Sequence, residues 1–362
     1  MKERFHVLDA FRGIFSFIVV FYHMREMNSS LLIQNNFVAH GYLFVDFFFV
    51  LSGFVIAYNY DNRLTNYSQL TSFLNKRFFR LFPLHIAVLL LFVGYVFFRQ
   101  VIGNPVTEGF DLNTFFTTLF LVNSIKFPDI TAASWNMPSW SISAEMISYL
   151  AFGLLLTLTG KMRSYKTIMY LFVIAMAVVA MQLSGGSFLI SYNNGFIRGM
   201  IGFFCGALTF KVFEMIKARP TVLQASILEG ITLFAVIYFI IMTPFFSSFI
   251  IFYELLFMTT ILVFSFEKGI VSKAILSLRI FKRLGSISYS VYMNHFLIIV
   301  GVDIFTKKFS MQSQWIDSGI VILLACIVYV VSGWTYKNIE MRFAKGIRSS
   351  AQRPVLNFTN RS

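Results

Sequence analysis

The chain has 362 residues, 57% of them hydrophobic and 13% charged, with a mean hydropathy of +0.72. A soluble domain carries roughly twice that charged fraction, so the composition excludes an ordinary globular enzyme and indicates a helical membrane protein. The net charge of +14 needs no nucleic-acid partner once the positions of the basic residues are considered, and Cys205 and Cys326 sit in separate apolar runs that offer neither a disulfide framework nor a zinc site.

Ten apolar runs are expected to span the bilayer: about 8–27, 38–60, 81–98, 140–160, 165–183, 196–215, 221–243, 249–266, 287–306 and 316–336. Of the 30 Lys and Arg, 23 fall before the first run, in 61–80, 161–166, 211–219 and 267–283, or after 336. Five fall in the alternate connections, and Arg12 and Arg198 lie within spans. That asymmetry predicts both termini in the cytoplasm. The first run lacks a cleavage-site pattern and reads as an uncleaved anchor. One transmembrane domain over 1–345 and a basic, mobile cytoplasmic tail over 346–362 account for the chain.

The first run, Leu8 to His23, carries Arg12 and His23 eleven positions apart, which places them on one helix face about 16 Å apart along the axis. Ser16 and Val19 share that face. An intramembrane arginine is costly unless it meets a partner or water, so the face reads as one wall of a polar passage; a snorkelling Arg12 is the plain alternative. In the second run Asp46 lies near the depth of His23, where it can orient the imidazole, or it is simply a helix-start carboxylate. Ser52-Gly53 permits close helix approach.

Lys76, Arg77 and Arg80 crowd the entry to the third run, with Pro83 expected in its first turn. They serve either as positive-inside anchors or as a phosphate site at a helix N-terminus. The long connection over 99–139 contains LNTFFTTLFLVN, expected to lie in the interface or to re-enter the membrane.

The fourth run opens with Trp140, an interfacial anchor by type. Ser141, Glu145 and Tyr149 follow at intervals of four, so that Glu145 shares a face with each of the others. A carboxylate one turn into a span marks a site or pairs with a cation. Arg198 in the sixth run reads as a structural counter-charge for Glu145 or Asp46. In the ninth, helical spacing puts Ser288, Tyr292 and His295 on one face, with Ser288 as interhelical glue. No strong internal repeat is present, which weakens an inverted-repeat transporter.

Together these stretches resemble the acyltransferase-3 family of membrane O-acyltransferases, of the surface-glycan O-acetylase type without an appended SGNH hydrolase domain. The resemblance rests on the Arg-x10-His of the first run with Asp9 and Gly13, on Asp46 to Phe54, and on Arg77-x-x-Arg80-x-x-Pro83. It continues in Trp140-Ser141-x-Ser143-x-Glu145 with Tyr149, in Arg198 with Gly206, and in Gly285-Ser286-Ile287-Ser288-Tyr289-x-x-Tyr292-x-x-His295. Phe44, His85, Met146 and Arg342 depart from the pattern, the last standing where a closing Glu-x-Pro has proline.

The resemblance implies transfer of an acyl group, most often acetyl, from cytoplasmic acyl-CoA to a hydroxyl of an extracytoplasmic glycan or glycolipid at the plasma (inner) membrane, without a metal. On that reading Arg77, Arg80, Lys76 and Arg12 bind the donor. His23 is the base, Asp46 orients it, and Glu145 supports the histidine or the acceptor. Trp140, Ser141, Tyr289, Tyr292 and His295 line the acceptor site. A covalent acyl-histidine is the other route these residues permit. The competing classes are a transporter of a small anion or lipid-linked sugar and a non-catalytic partner in polysaccharide assembly.

Overall fold

The computed structural model describes residues 4–26, 28–106, 109–127, 135–160, 163–184, 194–243, 250–306 and 314–344, and among them every regular element is helical. In chain order these are α1 (His6–Met24), α2 (Asn36–Ala39), α3 (Phe44–Tyr60), α4 (Tyr67–Val101), α5 (Leu112–Leu119), α6 (Trp140–Thr159), α7 (Arg163–Leu183) and α8 (Gly195–Met215). There follow α9 (Val222–Ile241), α10 (Ile250–Phe264), α11 (Ile270–Ser277), α12 (Arg279–Thr306) and α13 (Gln314–Thr335), which runs on into a π-helical turn at Tyr336–Glu340. The tail expected over 346–362 lies outside the described residues.

Nine helices among the described residues are long and apolar enough to cross a membrane. The remaining expected span, over 249–266, contains the 15-residue α10, whose start borders residues outside those described.

The third expected span also starts earlier than its hydropathy suggests. Asn66 caps α4 by accepting the Gln69 amide at 3.0 Å, and Gln69 Oε1 accepts from the Thr65 amide in return. The helix therefore runs 35 residues with Pro83 in its interior, so Pro83 marks no first turn. Arg77 and Arg80 stand mid-helix, without a helix N-terminus behind them. The apolar patch of the connection forms α5, with Leu112, Phe116 and Phe120 exposed, and its Thr118 carbonyl accepts from His85 Nε2 of α4 at 2.9 Å.

Two glycine crossings bring the site helices together. A Cβ at Gly53 of α3 would lie 1.8 Å from the Phe203 carbonyl oxygen, and one at Gly206 of α8 would lie 1.9 Å from that of Val50. On the other side, a Cβ at Gly13 of α1 would meet the Leu284 backbone at 2.4 Å, and one at Gly285 of α12 the Asp9 carbonyl at 2.5 Å. Backbone-to-backbone packing of this kind supplies dispersion and close polar contacts where no hydrophobic drive separates helix from lipid. The start of α1 is tied down by Glu267, which accepts the Val7 amide at 2.7 Å; burial pushes that carboxyl above its usual range, partly offset by this bond. Where α3, α7 and α8 meet, Asp61 accepts from Lys211 Nζ at 2.6 Å and from Tyr170 Oη at 2.6 Å, so this buried carboxylate is fully engaged in joining them.

Candidate active site

The crossing of α1 and α12 fixes Arg12. Its Nε donates to Ser288 Oγ at 2.8 Å, and its Nη2 donates to the Gly285 carbonyl at 3.2 Å and reaches Asp9 Oδ1 at 3.3 Å. The side chain stays 29% exposed because one side opens on a cavity. Arg12 is thus neither snorkelling nor buried, and Ser288 is the glue its spacing suggested.

That cavity encloses an empty volume of about 830 Å³, its open mouth included, within the range of small-molecule sites. Three guanidinium groups (Arg12, Arg77 and Arg80) and one carboxylate, Glu145, face it. Arg77 packs its guanidinium over the rings of Tyr60, Phe73 and Tyr149 at 5.4–5.8 Å, and its buried Nε has no hydrogen-bond partner. Arg80 is exposed into the same space and bonds to none of the described residues. Aromatic faces hold a guanidinium in place without consuming its in-plane donors. A guanidinium preset by its aromatic cage, Arg77, thus stands beside one with no bond to the described residues, Arg80, a pairing that suits oxyanions such as phosphate. Lys76 is exposed and is not among the residues that line the cavity.

Glu145 accepts from Ser52 Oγ and Tyr149 Oη, each at 2.5 Å to Oε1. Two helices meet there: Ser52 comes from α3, and Tyr149 stands one turn along α6 from Glu145. The carboxylate is engaged on the cavity wall, with no bond to either histidine and none to Arg198. Tyr289 and Tyr292 of α12 also line the cavity. Tyr289 Oη donates to the Leu81 carbonyl at 2.6 Å, tying α12 to α4. Ser141 Oγ donates to Tyr292 Oη at 2.8 Å, which faces the Pro138 carbonyl at 3.2 Å.

Neither histidine is among the residues that line this cavity. His295 is fully buried, and His23 is half-buried. His295 Nε2 stands 3.2 Å from His23 Nδ1, with ring centroids 5.0 Å apart. His295 Nδ1 is 2.7 Å from the Tyr292 carbonyl, and His23 Nδ1 is also 3.0 Å from the Val19 carbonyl. Of the face expected to line a passage from Arg12 to His23, Arg12 and Ser16 line this cavity, whereas Val19 is packed in the core. Phe48, edge-on to Tyr292 at 6.0 Å, and Ser141, bonded to Tyr292, stand in the cavity wall.

Asp46 does not orient His23. It is engaged by Arg198, whose Nε reaches Oδ1 at 2.6 Å and Nη2 reaches Oδ2 at 2.7 Å. Both carboxylate oxygens are consumed, because a two-pronged guanidinium is a better partner for a buried carboxylate than a single ring N–H. Of the two counter-charges considered for Arg198, Asp46 is the one it meets. Trp140 is neither at an interface nor on the cavity. Its ring is buried against Phe49 at 6.0 Å and under the Arg198 guanidinium at 5.7 Å.

Sequence reasoning missed Ser52 as a partner of Glu145, the Tyr60–Phe73–Tyr149 cage of Arg77, and Phe48. Only Tyr149 carried a local signal, its i+4 spacing from Glu145. The others are joined by tertiary contacts between helices far apart in sequence.

Comparison with known proteins places these features in context. The model of an acyltransferase domain matches residues 5–337. A protein of Rhizobium radiobacter described as protein 2 in the picA locus is 36% identical over 104 residues, 28% of this chain and 51% of that protein. An acyltransferase of Streptomyces mycarofaciens, MdmB, is 33% identical over 122 residues, 33% of this chain and 30% of that protein. The matched segments thus span about half of one curated relative and under a third of the other. No solved structure matches the chain at a significant level.

Proposed function

The chain belongs to the acyltransferase-3 family, and from that premise we propose a membrane O-acyltransferase that moves an acyl group, acetyl first among them, from cytoplasmic acyl-CoA to a hydroxyl of a glycan or glycolipid across the plasma membrane. The observation that carries this reading is the cavity where Arg77 and Arg80, without hydrogen-bond partners among the described residues, stand beside Arg12. Arg77 and Arg80 take the donor's phosphates, and Arg12, held by Ser288, Gly285 and Asp9, sits further along the acyl arm. Glu145, fixed by Ser52 and Tyr149, limits the positive charge of the cavity and leaves it polar for the amides of the arm.

His23, beside His295, removes the proton of the acceptor hydroxyl. The alkoxide oxygen attacks the thioester carbonyl, the carbon–sulfur bond breaks, and the departing thiolate takes the proton back from the imidazolium. Asp46 acts at a distance from this chemistry, by fixing Arg198 and with it the α3–α8 packing. A transporter would need the same cationic cavity, but it has no use for a pair of histidines bonded to each other at one end.

The test uses the purified full chain in proteoliposomes with radiolabelled acetyl-CoA and an extract of surface glycan. Label passing to glycan in an ester that mild base releases supports the reading. Movement of label across the membrane without any new ester, and unchanged in His23→Ala, overturns it in favour of transport.

A further inference from the structure

Among the described residues, neither imidazole of the His23–His295 pair is bonded to a carboxylate, so nothing acidic sets its protonation. Carbonyl oxygens do, and they can only accept. At His295 the Tyr292 carbonyl, 2.7 Å from Nδ1, requires a proton on that nitrogen. In the neutral ring Nε2 is then a bare lone pair. That lone pair points at His23 Nδ1 from 3.2 Å, and the Val19 carbonyl approaches the same nitrogen from 3.0 Å. Two acceptors converging on His23 Nδ1 require the proton to be there. His23 Nε2 is left as the lone pair, and no described residue bonds to it.

We infer that His295 is a positioning residue for the reaction: it holds His23 in the Nδ1–H form with Nε2 free, and it accepts from Nδ1–H when the His23 ring becomes positively charged. This rests on His23 as the base. In the transfer step the hydroxyl proton goes to His23 Nε2, and the imidazolium keeps its second proton on Nδ1, shared between His295 Nε2 and the Val19 carbonyl. The thiolate then removes the Nε2 proton, so His295 neither gains nor loses a proton over the cycle. Tyr292 links the two halves of the site. Its carbonyl sets the tautomer of His295, while its hydroxyl, bonded to Ser141, forms part of the cavity wall. His295 is held on one side by its own helix and has Phe296 and Tyr292 rings around it, so its orientation does not depend on the ligand.

The experiment combines a spectroscopic and a kinetic reading on the full chain in nanodiscs. Nitrogen-15 NMR of histidine-labelled protein, with the His23 signals assigned by their loss in His23→Ala, reports which ring nitrogen carries hydrogen. The expected result at neutral pH is Nδ1 protonated and Nε2 bare; an Nε2–H tautomer at His23 overturns the proposal whatever the activity. In turnover, His295→Phe is expected to lower kcat by about 10- to 100-fold with the KM for acyl-CoA unchanged. That is less than the loss from a wrong tautomer, because the Val19 carbonyl still selects Nδ1–H. His295→Gln, whose side-chain carbonyl can accept from Nδ1–H, is expected to recover most of that loss. Wild-type kcat in His295→Phe, or no recovery in His295→Gln, also overturns it. If His23→Ala itself keeps full turnover, the assignment of the base fails, and the tautomer measurement still decides the positioning geometry on its own.

Discussion

Asp46 and Arg198 meet through two hydrogen bonds of 2.6 and 2.7 Å, with side chains 0% and 2% exposed. The pair joins α3 to α8 beside the Gly53–Gly206 crossing, so its effect is on assembly. Removing one member leaves a buried, uncompensated charge, a loss of about 3–5 kcal/mol. Asp46→Ala is expected to lower the thermal unfolding temperature in detergent strongly, with near-normal kcat per folded molecule. A variant that melts like the wild type but has lost kcat would return Asp46 to the chemistry.

Arg77 and Arg80 are expected to govern donor affinity. Arg77→Ala with Arg80→Ala should raise the KM for acyl-CoA by tenfold or more, since each charge-assisted contact contributes about 1.5–3 kcal/mol. Lysine should substitute poorly, because an ammonium has no flat fork to stack in the Tyr60–Phe73–Tyr149 cage. Lys76→Ala should leave the KM unchanged. Equal effects at Lys76 and Arg77 in a titration with acyl-CoA would reduce the cluster to a surface-charge effect.

His23→Ala should lose about 10²–10⁴-fold in turnover, the usual contribution of a positioned general base. Binding of CoA, measured separately by calorimetry, should persist, since His23 is not among the residues that line the arginine cavity. In the wild type the rate should fall as pH is lowered, because a protonated ring cannot accept a proton. His23→Ala keeping its turnover would remove His23 from the mechanism.

Gly206→Val should prevent stable assembly. Its first side-chain carbon would stand 1.9 Å from the Val50 carbonyl oxygen, a backbone atom that has nowhere to move. Gly94, with no atom within 4 Å of a Cβ, should accept the same change. Folded yield by size-exclusion chromatography compares the two, and equal yields would contradict the close crossing.

Orientation follows from charge. A single cysteine at Asn35 should label from outside intact cells, and one at the exposed Arg63 should not. Labelling at Arg63 from outside would invert the donor side.

Much of the fold was legible because hydropathy and helix propensity agree along this chain. Among the described residues nine helices are long and apolar enough to span, and Ser288, read from its spacing as interhelical glue, joins α12 to α1 through Arg12. The start of α4 was misread because a polar, amphipathic turn with an asparagine cap extends a helix without adding hydropathy. At the site, spacing along one helix correctly put Ser141, Glu145 and Tyr149 together. It could not say which acid would meet which base across the bundle. Asp46 was placed at the depth of His23, yet depth fixes only one coordinate, and Arg198 offered the stronger bond.

Tyr292 also sets how α12 can tolerate motion. Its hydroxyl stands in the cavity wall and is bonded to Ser141, while its carbonyl lies 2.7 Å from His295 Nδ1. A rotation of α12 that widens the cavity at this residue therefore also shifts the ring of His295, and with it the contact to His23. The cavity and the histidine pair are mechanically coupled through one residue of one helix.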